Sequence, residues 1–214
     1  MTTAVPKFRS VRRLVAWVQN NWSRLDSPRL PSDVEQVFFR TKMDTPDQVA
    51  KCVSRYSRFV GKLESEFENL LKPHHDALVD YITNVEGKVD LDLLSVLSGD
   101  SRSLYRVSQV VGRLPQNLEI TIREPRYAFL YAREVLCGRL PAEMESVFFG
   151  DPYHAAKYAF EVIRGFSSCK LPEALHSMMI MASFEDPEND HIKMYLQASE
   201  SDPSKFGNSK EKVR

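Results

Sequence analysis

The residues of this sequence that could recognise a ligand by charge and stacking lie in the middle of the chain. Between residues 102 and 139 there are seven arginines and no lysine, and Tyr105, Tyr127 and Tyr131 are interleaved with them. Arginine mixed with aromatic residues is typical of surfaces that stack on single-stranded bases and of protein interaction hot spots. Together with two residues from a later segment, the predicted partner-binding residues are Arg102, Arg106, Arg113, Arg126, Tyr127, Arg133, Arg139, Phe166 and Lys170.

The tyrosines do not all support the same interpretation. Tyr131 and Tyr158 are each followed by an alanine, and this Tyr-Ala pair stands at the same place in two similar segments. Such recurrence favours buried positions at which the small alanine lets helices approach. Tyr105 and Tyr127 carry no such constraint and stay candidates for contact with a ligand.

A single basic residue also recurs at one position of a repeated pattern. The six residues are Arg29, Lys62, Lys88, Arg113, Arg139 and Lys170. If equivalent positions line up in a stack of repeats, these side chains would form a cationic edge able to follow a phosphate backbone. Acids recur close by, and ion pairs with them would neutralise that edge instead. These acids are Asp33, Glu66, Asp92 and Glu143.

Signatures of catalysis, cofactors or metal binding do not emerge from the sequence. The histidines lack the i, i+4 spacing or the short Cys/His spacing that brings two metal ligands together. The three cysteines, Cys52, Cys137 and Cys169, are odd in number and form no Cys-x-x-Cys pair. All glycines except Gly207 fall at expected helix ends, so none is left for a phosphate-binding loop. We therefore predict a protein that is not an enzyme and that has no cofactor and no metal.

A repeat of about 26 residues must position these side chains. It is marked by glycines spaced 26, 25, 26 and 27 residues apart: Gly61, Gly87, Gly112, Gly138 and Gly165. Each glycine is followed by a basic residue, a Leu or Val, and a Pro or acid, and after Gly165 extra residues precede Lys170. Glycine in the left-handed conformation ends a helix, and proline suits the first position of the next one. Regular spacing of this kind is typical of stacked repeats. The sequence thus predicts an all-α fold, a solenoid-like stack of about six helical hairpins with capping helices and no strand.

Apolar residues at helical spacing give the expected helix positions. The longer helices are expected near 10–25, 46–60, 73–86, 101–111, 125–137, 152–164 and 187–199, and the shorter ones near 31–40, 64–71, 90–98, 115–122, 141–149 and 172–183. Thr45 and Gln48 have the spacing of a capping box at the start of one long helix. One domain is predicted over 1–199, with an N-terminal capping unit at 10–44, repeats over 45–183, a C-terminal capping helix at 187–199 and a flexible tail at 200–214.

The two best-preserved repeats resemble short tandem α-helical repeats found in proteins of bacteriophages and large DNA viruses. The matching residues are Pro125, Tyr131, Ala132, Val135, Gly138, Arg139 and Pro141 in one repeat, and Pro152, Tyr158, Ala159, Val162, Gly165 and Pro172 in the next. This resemblance covers residues 124–176, about a quarter of the chain. It implies a helical-repeat architecture and a viral factor acting on a host component in the host cytoplasm, and it transfers no activity and no catalytic residue.

Charge and hydropathy restrict the setting further. Lys plus Arg and Asp plus Glu both number 29, so no net charge draws the chain to nucleic acid or to an anionic membrane. No run of about 18 apolar residues exists, and the cysteine content fits a reducing compartment, so we predict a cytoplasmic protein without a membrane partner. A basic cluster near the N-terminus lies beside Trp17 and Trp22 and consists of Lys7, Arg9, Arg12, Arg13 and Arg24. It predicts either a helix that contacts an acidic partner or a membrane, or a capping helix that closes the core.

The function predicted from these features is binding without chemistry. A helical-repeat interaction protein would bind a macromolecular partner, predicted to be a protein, through a concave face and the insertion at 166–170. The alternative is an RNA- or ribosome-binding protein that uses the Arg/Tyr-rich face. The oligomeric state is left open. The apolar run at 178–181 is typical of a core, although methionines also suit a partner groove.

Overall fold

A computed structural model describes residues 6–25, 29–85, 90–163 and 171–200. Within these ranges the protein is mostly helical and contains no β-strand, which confirms the predicted all-α class. The chain divides into two compact units, Met1–Leu97 and Ser98–Arg214.

The first unit consists of seven helices and one 3-10 turn among the described residues. In chain order they are α1 (Val11–Asn21), the 3-10 turn Trp22–Arg24, α2 (Ser32–Glu35), α3 (Val37–Arg40), α4 (Pro46–Val60), α5 (Ser65–Leu71), α6 (His75–Asn84) and α7 (Leu91–Ser95). Helix α4 is the centre of this unit, because α1, α5 and α6 all pack against it. Its buried side chains include Val49, Val53 and Tyr56.

The second unit repeats the alternation of longer and shorter helices. In chain order the described elements are α8 (Ser101–Val111), α9 (Gln116–Glu119), α10 (Pro125–Leu130) continued by the π-helix Tyr131–Leu136, α11 (Ala142–Glu145) followed by the 3-10 turn Ser146–Phe148, α12 (Pro152–Lys157) continued by the π-helix Tyr158–Val162, α13 (Glu173–Glu185) and α14 (Asp190–Glu200). Helix α12 packs against α10 on one side and against α13 and α14.

Local signals in the sequence account for the helix boundaries. The bounds of α4 and α8 coincide with the predicted helices at 46–60 and 101–111. At the start of α4, Gln48 N–H donates to Thr45 Oγ1 and Thr45 N–H donates to Gln48 Oε1, so the predicted capping box is confirmed. Asp100 and Asp151 cap α8 and α12 in the same manner by accepting from Ser103 N–H and His154 N–H.

The glycines that end the helices conform to prediction only in part. Gly61 and Gly112 follow α4 and α8 with φ of 74° and 81°, but their ψ values of −133° and −147° place them in a region open essentially to glycine alone. The predicted left-handed conformation of Gly138 is wrong, because Cys137 adopts it instead, with φ 46° and ψ 39°. The π-helix at Tyr131–Leu136 supplies the reason: its wider turn moves the end of the helix by one residue.

Candidate functional site

Four tyrosine hydroxyls make the same pair of hydrogen bonds, which we call a tyrosine lock. Each hydroxyl accepts from the backbone N–H of a leucine that precedes a short helix, and donates to a glutamate five residues beyond that leucine. The N–H to hydroxyl distances are 2.9–3.1 Å and the hydroxyl to carboxylate distances 2.6–2.8 Å. The locks are Tyr56 with Leu30 and Glu35, Tyr81 with Leu63 and Glu68, Tyr131 with Leu114 and Glu119, and Tyr158 with Leu140 and Glu145.

Each lock stands in the core and holds a long helix against the short helix before it. All four tyrosines are at most 3 % exposed, and the carboxylates of Glu119 and Glu145 are buried as well. Burial, together with the hydrogen bond to Glu68, raises the pKa of Tyr81 to about 12. The same causes raise the pKa of the other three lock tyrosines. In three of the four locks every partner therefore has its hydrogen bond satisfied away from water, whereas Glu35 of the Tyr56 lock is half-buried; this makes the lock a structural element.

The last helical hairpin of the second unit carries a variant of the lock. Tyr195 accepts from Leu171 N–H at 3.2 Å, but the residue five beyond this leucine is His176, whose Nδ1 lies 2.8 Å from the tyrosine hydroxyl. In the repeat that begins at residue 88, the glutamate and tyrosine positions hold Leu94 and Val107, and both side chains are buried. Replacing both polar partners by apolar residues avoids an unsatisfied group.

The arginines predicted as partner contacts fall into two groups. Three of them are held by carboxylates: Arg113 by Glu119 at 2.9 Å, Arg139 by Glu145 at 2.6 Å and Arg133 by Glu161 at 2.9 Å. Arg102 is exposed, Arg106 is half-buried, and the Arg126 guanidinium lies 5.8 Å from the ring centroid of Tyr127. Phe166 and Lys170 lie outside the described residues.

The carboxylate partners bear directly on the predicted cationic edge. Arg113 and Arg139 each reach over a lock to the glutamate inside it, and Arg29 pairs with Glu64. These ion pairs favour the interpretation in which acids neutralise the repeated basic residues. The acids Glu64, Glu119 and Glu145 are not among those predicted as partners. Lys88 and Lys170 lie outside the described residues.

The two tyrosines expected to be available for contact join a polar ladder on the surface of the second unit. Tyr105 and Tyr127 lie with ring centroids 6.0 Å apart, and the Tyr105 hydroxyl donates to Glu134. Glu134 also accepts from Arg133, which reaches Glu161 of the next long helix. The hydrogen bond from Tyr105 is the main cause that lowers the pKa of Glu134. The ladder links three successive long helices and commits several of the predicted contact residues to one another.

A basic cleft lies at the N-terminal end of the first unit. Its volume is about 910 Å³, and its lining includes Lys7, Phe8, Arg9, Arg12, Arg13 and Met43. All four cationic side chains are exposed, whereas the Phe8 ring packs on Trp17 with centroids 5.9 Å apart. Trp22 packs on Phe59 with centroids 5.3 Å apart. The predicted capping helix and the predicted contact for an acidic partner are thus compatible, because the tryptophans contact other aromatic rings while the basic side chains are exposed.

An apolar surface lies on the last hairpin of the second unit. Helix α13 has no acidic, lysine or arginine residue between Glu173 and Glu185, and its buried side chains are Leu175 and Met179. On the opposite side, Ile180, Met181 and Phe184 are 38 %, 65 % and 80 % exposed. These three residues form what we call the C-terminal apolar surface. The apolar run at 178–181 is therefore divided between a core residue and exposed residues.

The described residues include two of the three cysteines. Cys52 is buried, and burial raises the pKa of its thiol. Cys137 is exposed at a helix end, and Cys169 lies outside the described residues. Over those residues, no three His, Cys, Asp or Glu side chains gather into a group that could hold a metal ion.

The sequence interpretation did not identify the lock glutamates, although a signal for them exists. A glutamate stands five residues after the leucine in four repeats, a spacing that survives when the intervening residues change: Glu35, Glu68, Glu119 and Glu145. Of the C-terminal apolar surface, Phe184 was missed, because an apolar helix is normally buried. Ile180 and Met181 belong to the run at 178–181, for which both a core and a partner groove were considered.

Comparison with known proteins adds no further identification. No family model, no curated protein and no solved structure matches the chain. In the part of the chain that the structure describes, every helix is too short or too polar to cross a lipid bilayer. The described residues thus define an all-α protein built around recurring tyrosine locks, with a basic cleft and an exposed apolar surface.

Proposed function

We propose that the chain is a non-enzymatic helical-repeat interaction protein that binds a protein partner on its C-terminal apolar surface. In this proposal the helical hairpins stack as a solenoid, and the last hairpin is the one against which a partner packs. The observation that carries the proposal is the exposure of Met181 and Phe184, at 65 % and 80 %, on a helix with no charged residue in its central eleven positions.

The recurrence of the tyrosine locks supports the repeat architecture. Repeat proteins bury their core between neighbouring repeats, and the outer face of a terminal repeat must be polar for the protein to stay soluble. Helix α13 departs from that rule because its outer face is apolar. Exposed apolar surface that no other element covers is typical of a protein interaction site. Methionines suit such a surface, since their flexible side chains adapt to the shape of a partner.

The RNA-binding alternative is less well supported. Three of the predicted arginines have carboxylate partners at 2.6–2.9 Å, so they are partly neutralised and positioned by the fold. A phosphate backbone would have to displace those carboxylates. Arg102, Arg123 and Arg126 are exposed and are the residues on which that alternative would depend.

Capture of partners from a cell lysate tests the proposal. The tagged full chain is compared with Phe184→Ser and with the matched control Phe149→Ser, which changes another exposed phenylalanine, 50 % exposed, of the same unit. We expect capture to survive nuclease treatment, to be lost with Phe184→Ser and to persist with Phe149→Ser. Thermal unfolding by circular dichroism checks that both variants are folded.

Two results would contradict the proposal. Capture that persists in Phe184→Ser would exclude the C-terminal apolar surface as the site. Capture that disappears on nuclease treatment and falls steeply with added salt would favour the RNA-binding alternative instead.

A further inference from the structure

The basic cleft of the first unit holds more positive charge than the described residues neutralise. Lys7, Arg9 and Arg13 form no ion pair with any residue that the structure describes, and Arg12 lies 3.8 Å from Asp44. The exposed fraction of the Asp44 side chain is 3 %. The cleft lining therefore brings four cations to one carboxylate, and among the residues that the structure describes three of these cations have no carboxylate within ion-pair distance.

Asp44 is moreover engaged in holding the start of α1. Its carboxylate accepts hydrogen bonds from Val11 N–H at 2.9 Å, Ser10 Oγ at 3.1 Å and Thr41 Oγ1 at 3.2 Å. A carboxylate with these partners is fixed in place and contributes to the floor of the cleft. The cations at the rim are free to meet an external anion, and the cleft presents apolar atoms of Phe8 and Met43 beside them. A ligand with both an apolar side chain and several negative charges fits this lining best.

The last hairpin of the second unit has the complementary composition. Among the described residues Phe184 is the most exposed large apolar side chain, at 80 %, and it is followed at once by acidic residues. Residues 171–200 contain six acidic residues and one lysine: Glu173, Glu185, Asp186, Glu188, Asp190 and Glu200 against Lys193. Lys193 pairs with Glu188 at 3.0 Å, so it offsets only part of this charge.

We propose that a second copy of this chain is a partner, and that the segment 184–190 of one copy docks in the basic cleft of the next. This inference rests on the proposed function, since it names one partner for the C-terminal apolar surface. Phe184 would enter the cleft beside Phe8 and Met43, and the carboxylates that follow it would meet Arg9 and Arg13. Opposite charges across an interface of this kind fix its register and speed association.

The geometry of the contact determines the form of the assembly. The two surfaces that meet are different, so the contact is heterologous: each copy that uses its C-terminal apolar surface still has a free cleft, and the reverse also holds. Copies would therefore add head to tail, and the mean mass would rise with concentration. Because the interaction is largely between exposed charges, about 1 M salt, at which the Debye length falls to about 3 Å, would shorten the assemblies.

Two variants, each blocking one end, test the inference by analytical ultracentrifugation of the full chain. Arg9→Glu with Arg13→Glu reverses the charge of the cleft, and Phe184→Ser with Glu185→Lys alters the docking segment. We expect each variant to weaken self-association by roughly a hundredfold, since apolar contact is lost or like charges meet. A matched control, Arg102→Glu with Arg123→Glu, reverses two exposed arginines elsewhere and should assemble like the unaltered chain.

Mixing the two blocked variants gives the sharpest result. The cleft variant keeps an intact docking segment, and the segment variant keeps an intact cleft, so the mixture should form 1:1 dimers and nothing larger. Absence of dimers in the mixture would overturn the inference, as would an unaltered chain that stays monomeric at low salt at all concentrations. Unchanged thermal unfolding of both variants excludes loss of folding as the cause.

The outcome separates this inference from the proposed function. If the unaltered chain is monomeric while lysate capture still depends on Phe184, the head-to-tail contact is wrong and the interaction surface stands. If neither self-association nor Phe184-dependent capture occurs, both are wrong.

Discussion

Two regions of the second unit use the same tyrosine position differently. In the interior repeats, Tyr131 and Tyr158 donate to buried glutamates that arginines also hold from outside. In the last hairpin, the Tyr195 hydroxyl contacts the ring of His176, and the helix that carries this histidine exposes Met181 and Phe184. The interior repeats thus contain charged locks, whereas the last hairpin combines a histidine variant of the lock with the strongly exposed side chains of Met181 and Phe184. The interior repeats are therefore stabilised by contacts within the protein, whereas the last hairpin has a surface suited to a partner.

The largest effect should come from raising the pH, because it acts on all charged locks together. The folded pKa of Tyr81, about 12, is above the ordinary value near 10, so the neutral form is favoured by folding. The contribution of the neutral Tyr81 hydroxyl to the free energy of unfolding is therefore fully present below about pH 10 and is lost as the pH rises towards about 12. Urea unfolding between pH 8 and about 12, with absorbance at 295 nm to follow tyrosine ionisation, measures this loss.

Replacing Tyr81 alone shows how much of this pH dependence comes from its lock. Tyr81→Phe should lower stability at neutral pH and should make the remaining dependence on alkaline pH shallower. An unchanged pH profile in this variant would show that the Tyr81 lock does not contribute.

Removing the acceptor of an interior lock should have the next largest effect. Glu145→Ala leaves the Tyr158 hydroxyl without its acceptor and Arg139 without its partner, so we expect a loss of about 2–3 kcal/mol, since hydrogen bonds to charged groups contribute most. In the last hairpin, His176→Ala should cost only about 1 kcal/mol, the value typical of a neutral hydrogen bond. Urea unfolding at pH 7 compares the two. Equal losses would remove the distinction between the charged lock and its histidine variant.

Substitution at the end of an interior helix should likewise lower stability more than substitution at the end of α13. At Gly112, φ 81° and ψ −147° are open essentially to glycine, and an added Cβ would meet no atom within 4 Å, so the cost of Gly112→Ala is conformational. We expect about 1–3 kcal/mol. The corresponding end of α13 is Asp186, with φ −133°. Asp186→Ala should change stability by less than about 0.5 kcal/mol, as surface substitutions usually do.

A small gain in stability is expected at Cys137, where the π-helix places a residue other than glycine in the left-handed conformation. Cys137→Gly removes a conformational cost of about 1–2 kcal/mol. It also increases the freedom of the unfolded chain, which offsets roughly half of that gain. The result should be a small stabilisation in thermal unfolding. A clear destabilisation would mean that the exposed side chain has contacts that its left-handed geometry does not reveal.

The sequence predicted much of the local structure because local interactions decide it. The capping box at Thr45 and the helix ends at Gly61 and Gly112 depend on residues within one or two turns, so their identities suffice. The end at Gly138 could not be predicted, since a π-helix changes the register through packing of the residues around Tyr131. Placement of whole helices was accurate where such end signals were present.

The interaction surfaces were less predictable, for two physical reasons. A buried glutamate such as Glu119 has the same identity as a solvated one. Its burial is made acceptable by Tyr131, 12 residues away in sequence, and by the guanidinium of Arg113. An apolar helix such as α13 is typical of a core, and no local pattern tells whether a neighbouring element covers Met181 and Phe184. The arginine set was recognisable from composition, but the carboxylates that hold Arg113, Arg133 and Arg139 come from tertiary packing.

The short sequence separation within the locks has a consequence for folding. Tyr81, Tyr131 and Tyr158 reach leucines only 17 or 18 residues earlier in the chain. Closing such short loops costs little chain entropy, and proteins dominated by nearby contacts fold quickly. Each lock can thus form as soon as its own helix has been synthesised, so the early repeats can take shape while the ribosome is still adding the hairpin that carries Phe184.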